Sequence, residues 1–130
     1  MLAVDTNVLV RFLARDDADQ TARADSLVRG NRIWIPKTVL LETEWVLRDA
    51  YSRNRTRIVA DIRGLLGVPT AHTEDEGAVA QALDWFAAGM DFADALHLAS
   101  SAGARQFATF DRKLATKAAK LTSVKVLTLL

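Results

Sequence analysis

Cysteine is absent from this 130-residue chain, and histidine occurs only as His72 and His97. Without cysteine there can be no disulfide, no thiolate zinc site and no thiol nucleophile. The two histidines lie too far apart in sequence to form a helical metal-binding pair. No stretch reaches the ~20 apolar residues that a membrane span requires. Asp5 interrupts the N-terminus where a secretory leader needs a longer apolar core behind basic residues. A cytoplasmic protein with no membrane role is therefore expected. Charge of either sign is also missing as a total, since 17 basic and 16 acidic residues leave a net +1.

What remains is patterned. Half of the residues are hydrophobic and 25% are charged, the balance of a soluble domain with a real core. One domain over residues 1–130 is expected. The charge is distributed unevenly. Glu74, Asp75, Glu76, Asp84, Asp91 and Asp94 share the stretch from Thr73 to Asp94 with no Lys or Arg. Arg105, Arg112, Lys113, Lys117, Lys120 and Lys125 share the stretch from Arg105 to Lys125 with Asp111 alone.

Apolar periodicity and turn residues predict alternating strands and helices. Strands are expected at residues 1–4, 32–35, 68–72, 106–110 and 124–129. Helices are expected over 8–14, 19–29, 38–50, 56–66, 73–88, 92–102 and 112–120. Thr56 is the expected cap of the fourth helix. Thr73 with Glu76 has the spacing of a capping box for the fifth. Such alternation implies an α/β fold with a parallel sheet and helices on both faces.

Asp5 and Asp111 each follow a predicted strand directly, and in parallel sheets ligands bind at the carboxyl ends of strands. Asp94 lies near a helix start, and Glu42 follows the second strand closely. Such places can share one edge of a sheet. A few carboxylates suffice to bind Mg²⁺ or Mn²⁺, which take oxygen ligands and retain water. Each acid also has a plainer reading. Asp5 and Asp111 have N-cap positions, and Asp91 with Asp94 has N-cap and N3 spacing. Glu42 borders the apolar face of its helix and reads equally as a solvated side chain. Glu44 sits about 200° around the helix from it, so only one of the two can reach a given site.

The run Val4-Asp5-Thr6-Asn7-Val8-Leu9-Val10 resembles the opening of PIN-domain ribonucleases, particularly the VapC-type toxins of bacterial toxin–antitoxin pairs. The segment from Thr38 to Arg48 is similar to the one carrying the family's second acid, which falls on Glu42. Asp91-Phe92-Ala93-Asp94-Ala95-Leu96-His97 resembles the third motif, with Asp94 as its acid. Ala108-Thr109-Phe110-Asp111 resembles the last.

The resemblance implies a PIN-like three-layer sandwich around a central parallel sheet of about five strands. It implies Mg²⁺- or Mn²⁺-dependent cleavage of single-stranded RNA. Asp5, Asp94 and Asp111 would be metal ligands, with Glu42 completing the catalytic acids. Asn7, Thr109 and Asp91 would stand behind them. Arg53, Arg55 and Arg57, in what reads as a basic loop, are the expected RNA phosphate contacts. The implied partners are a cognate antitoxin and a second copy of the chain. Two rivals remain at this stage. One is a catalytically silent PIN-like module that binds RNA or protein. The other is a metal-dependent phosphatase or nuclease acting on DNA.

Overall fold

The computed structural model describes residues 1–129. In chain order the elements are β1 (Leu2–Ala3), α1 (Thr6–Ala14), α2 (Ala18–Gly30), β2 (Ile33–Ile35), α3 (Lys37–Asp49), α4 (Arg55–Leu66) and β3 (Ala71–Thr73). There follow α5 (Glu76–Ala87), α6 (Phe92–Ala99), β4 (Phe107–Thr109), α7 (Arg112–Leu121) and β5 (Val126–Thr128). The α/β class is as expected. All strand pairings are parallel: β1–β2–β3 form one sheet, and β4–β5 form a second. The chain divides into two compact units, the first over Met1–Glu76 and the second from Gly77 onward. No helix among the described residues is long and apolar enough to cross a membrane.

In the first unit, β2 pairs Ile33 with both Leu2 and Ala71, and Ile35 with Thr73. Ile33 and Ile35 are fully buried while Trp34 between them is exposed, the period of two expected of a half-buried strand. Helix α1 packs on α2 and α3 and buries Leu9, Val10 and Phe12. Leu9 and Phe12 are thus core residues. Helix α3 buries Leu40, Thr43 and Leu47, and α4 buries Ile58, Ile62 and Leu65. In both, the spacing of three and four places one apolar stripe inward. Emptying a position such as Ile62 would cost about 2–5 kcal/mol.

In the second unit, α5 buries Val79, Ala82, Leu83 and Phe86, and α6 buries Phe92, Ala95 and Leu98. Phe86 and Phe92 meet edge to face at 5.3 Å. Between the two helices Gly89 has φ +120°, a conformation that a side chain rarely tolerates.

Several predicted boundaries shift for identifiable reasons. Asn54, not Thr56, caps α4, its side chain accepting from the Arg57 N–H at 2.9 Å. Helix α4 therefore begins at Arg55, and the expected basic loop is mostly helix. Thr73 is no cap, because it is the last, buried residue of β3, and α5 begins at Glu76. Residues 68–70 form a turn, with Ala71 N–H donating to the Val68 carbonyl, so β3 starts later than predicted. Helix α6 ends at Ala99 rather than Ala102, where Ser100 closes it by donating to the Leu96 carbonyl.

Candidate active site

In the first unit, Asp5 leaves β1 with extended backbone and caps α1, its Oδ1 accepting from the Val8 N–H at 3.2 Å. The bond uses one oxygen of the carboxylate and satisfies an amide that the helix start leaves unpaired. Thr6 begins α1, and its hydroxyl donates to Glu42 Oε1 on α3. The close packing of α1 on α3 makes this reach possible. Glu42 is thereby held beside the residue that follows Asp5.

Glu44 has another fate. It is 2% exposed and bridged by Arg48 one turn on, through Nε at 2.8 Å and Nη2 at 3.4 Å. Buried charge is tolerated when paired in this way. Asn7, exposed on the first turn of α1, lines an open cavity of about 420 Å³ with Arg11, Gln20 and Arg23. Among the described residues no hydrogen bond joins Asn7 to Asp5.

The three arginines expected at RNA differ from one another. Arg53 Nη1 pairs with Asp61 Oδ2 at 2.5 Å, with both side chains 12% exposed. Its guanidinium also lies 6.0 Å from the centre of the Tyr51 ring. Arg57 pairs with Oδ1 of the same aspartate at 3.4 Å but remains exposed. Arg55 is exposed on the first turn of α4. Arg53 is thus a structural cation tied to α4, while Arg55 and Arg57 face solvent.

In the second unit, Asp91 caps α6 by accepting from the Asp94 N–H at 3.1 Å. Asp111 caps α7, its Oδ1 accepting from Lys113 and Leu114 N–H groups at 2.9 and 3.1 Å. Thr109 Oγ1 accepts from the Asp111 N–H at 2.9 Å, so the hydroxyl fixes the backbone of the acid it precedes. Asp94 is half-buried, and no hydrogen-bond donor reaches its carboxylate among the described residues. Burial, followed by the negative charges of Asp91 and Asp111, holds its carboxyl above the ordinary aspartate range, against a smaller pull from His97.

Among the described residues, no three Asp, Glu or His side chains meet as a formed metal cage. The donor chemistry is nonetheless right for a hard divalent ion. Asp91, Asp94 and Asp111 offer only oxygen, and the capping bonds use one oxygen each of Asp91 and Asp111.

The sequence alone did not single out Thr6 or Asp61. Thr6 had a signal, a hydroxyl directly beside the first acid. Asp61 had a weaker one, its place four residues after Arg57 on a helix.

The family model of the PIN domain matches residues 2–120, a span that takes in all four acidic motifs. No curated protein matches the chain.

Proposed function

The chain belongs to the PIN-domain family of nucleases, and from that premise we propose that it is a Mg²⁺- or Mn²⁺-dependent endoribonuclease, the toxin of a toxin–antitoxin pair. The observation that carries the reading is Asp94: a half-buried carboxylate without a donor, pushed toward its neutral form first by burial and then by the charges of Asp91 and Asp111. A structural cap needs no such arrangement. A site prepared for a cation does.

On the motif resemblance, Asp5, Asp94 and Asp111 are the proposed metal ligands, with Glu42 as the proposed fourth catalytic acid. When bound by these carboxylates, a divalent ion would acidify water and offset charge on the phosphoryl oxygens. The protein's own contribution is positioning. Thr109 fixes the Asp111 backbone, Asp91 fixes the first turn of α6 beneath Asp94, and Thr6 orients Glu42. Glu42, exposed and held by one hydroxyl, is suited to accept a proton from the attacking water. RNA is the assigned substrate on motif resemblance, a cognate antitoxin and a second copy are the assigned partners, and the cytoplasm is the assigned compartment.

The test is cleavage of single-stranded RNA oligonucleotides by purified protein in Mg²⁺, in Mn²⁺ and with EDTA. Cleavage should require the ion. In a bacterial host, expression of the wild type should arrest growth, and a folded Asp94→Ala protein should not. Arrest that persists in that variant, or cleavage that survives EDTA, overturns the metal mechanism and favours a silent binding module.

A further inference from the structure

Among the described residues Phe110 is the most exposed of the large apolar side chains, at 78%. It stands between Thr109, the last residue of β4, and Asp111, the cap of α7. A ring left in water forfeits the free energy that burial would return. Nor is its backbone loose. The Asp111 N–H donates to Thr109 Oγ1, the Leu129 N–H donates to the Thr109 carbonyl at 2.7 Å, and Asp111 holds the first turn of α7. The segment is ordered before any ligand arrives, which lowers the entropic cost of binding. Directly after Asp111 come Arg112 and Lys113, both exposed and in no ion pair among the described residues.

A flat apolar ring beside uncompensated cations suits single-stranded nucleic acid, whose bases stack while its phosphates pair. We propose that Phe110 is a stacking platform for one nucleobase of single-stranded RNA, adjoining the bond to be cut, with Arg112 and Lys113 on neighbouring phosphates. The proposal rests on the ribonuclease reading above. The competing occupant is a second protein chain, because the same small sheet exposes Leu127, the register partner of Ala108, and Leu129 is exposed just beyond its end. Charge favours RNA: protein interface cores are depleted of charged residues, whereas this ring is followed at once by an acid and two cations.

Binding decides the matter separately from cleavage. In the Asp94→Asn background, fluorescein-labelled single-stranded RNA is titrated, together with a set of strands that each lack one base. Adding Phe110→Ala should weaken binding of the intact strand about tenfold, and Phe110→Trp should restore it. One abasic strand should already show that loss, with no further loss from Phe110→Ala. Leu127→Ala should leave RNA affinity unchanged. Equal affinity with and without the Phe110 ring overturns the proposal. So does a Phe110→Ala effect confined to self-association in sedimentation, which would assign the ring to a protein contact. If the wild type cuts no RNA but the tenfold loss appears, the ribonuclease reading falls while the stacking platform stands.

Discussion

In the first unit, Asp16 accepts from the Tyr51 hydroxyl at 2.9 Å and from Arg11 at 3.2 Å, and Asp25 takes both arms of Arg15 at 2.7 and 2.9 Å. Both carboxyls are held below the ordinary range, Asp16 chiefly by the tyrosine bond and Asp25 chiefly by the arginine bond. In the second unit the Asp94 carboxyl moves the other way, above the ordinary range, chiefly through burial. The cations divide in the same way. Arg11, Arg15, Arg23, Arg48, Arg53 and Arg57 all pair with acids of the first unit. Among the described residues Arg112, Lys113, Lys117 and Lys120 pair with none. The contrast is one of degree, since Arg29 and Arg32 of the first unit form no ion pair either among the described residues. Unsettled charge is what a metal ion and a polyanion can bind.

That contrast breaks first at catalysis. Asp94→Asn and Asp111→Asn should each lower RNA cleavage by about a hundredfold or more, the usual range for a preorganised electrostatic group. Glu42→Gln should cost only about tenfold in single-turnover rate, because the amide oxygen still accepts from Thr6. If Glu42→Gln proves the more damaging, the first unit carries more of the chemistry than its settled charges suggest.

The next largest effect concerns stability. Asp61→Ala strands the 12%-exposed Arg53 without its partner, and chemical denaturation should show a loss of about 3 kcal/mol. Lys113→Ala, removing an unpaired cation, should lie within about 0.5 kcal/mol of the wild type. Equal costs would mean that the pairing seen in the first unit does not stabilise it.

A smaller effect separates the two roles of Asp111. Asp111→Ala removes the cap from two amides of α7 and should cost about 1 kcal/mol, while Asp111→Asn should recover most of it in thermal melts. Both should be equally poor nucleases.

The smallest effect has the most direct sign. Because folding raises the Asp94 pKa, the folded state holds the proton more tightly than the unfolded chain. Its contribution to stability is therefore full below the ordinary aspartate range and lost as pH rises through the raised value. At neutral pH without metal, Asp94→Asn should melt slightly higher than the wild type, by less than about 1 kcal/mol since solvent screens the group. Asp16 and Asp25 act in the opposite sense, contributing above the ordinary range and losing that contribution as pH falls through their lowered values. An Asp94→Asn protein that melts lower at neutral pH would show that the acid is a helix-start stabiliser before anything else.

Much of this was legible in the sequence. The alternation of strands and helices follows from apolar period, as does the inward face of α3 and α4. The acids stood out because each lies at an element junction, and three of those junctions proved to be N-caps, at Asp5, Asp91 and Asp111. Capping and metal binding ask for the same residue at the same place, so sequence could not separate them. What was not legible depends on distance in space. Thr6 reaches Glu42 only because α1 packs on α3, and Arg53 loses its expected freedom only because the turn before α4 folds it back onto Asp61. The exposure of Phe110 was hidden for the same reason, since an aromatic at a strand end is buried or bare according to what lies over it.

The two glutamates of α3 also differ as reagents. Glu42 stands in solvent behind a single hydroxyl, whereas Glu44 lies under the guanidinium of Arg48 at 2% exposure. A water-soluble carbodiimide with an amine nucleophile would therefore mark the first and spare the second for as long as the helix holds. On unfolding the distinction disappears, so the ratio of label at these two positions, read by mass spectrometry from one peptide, is an internal clock for the opening of the first unit.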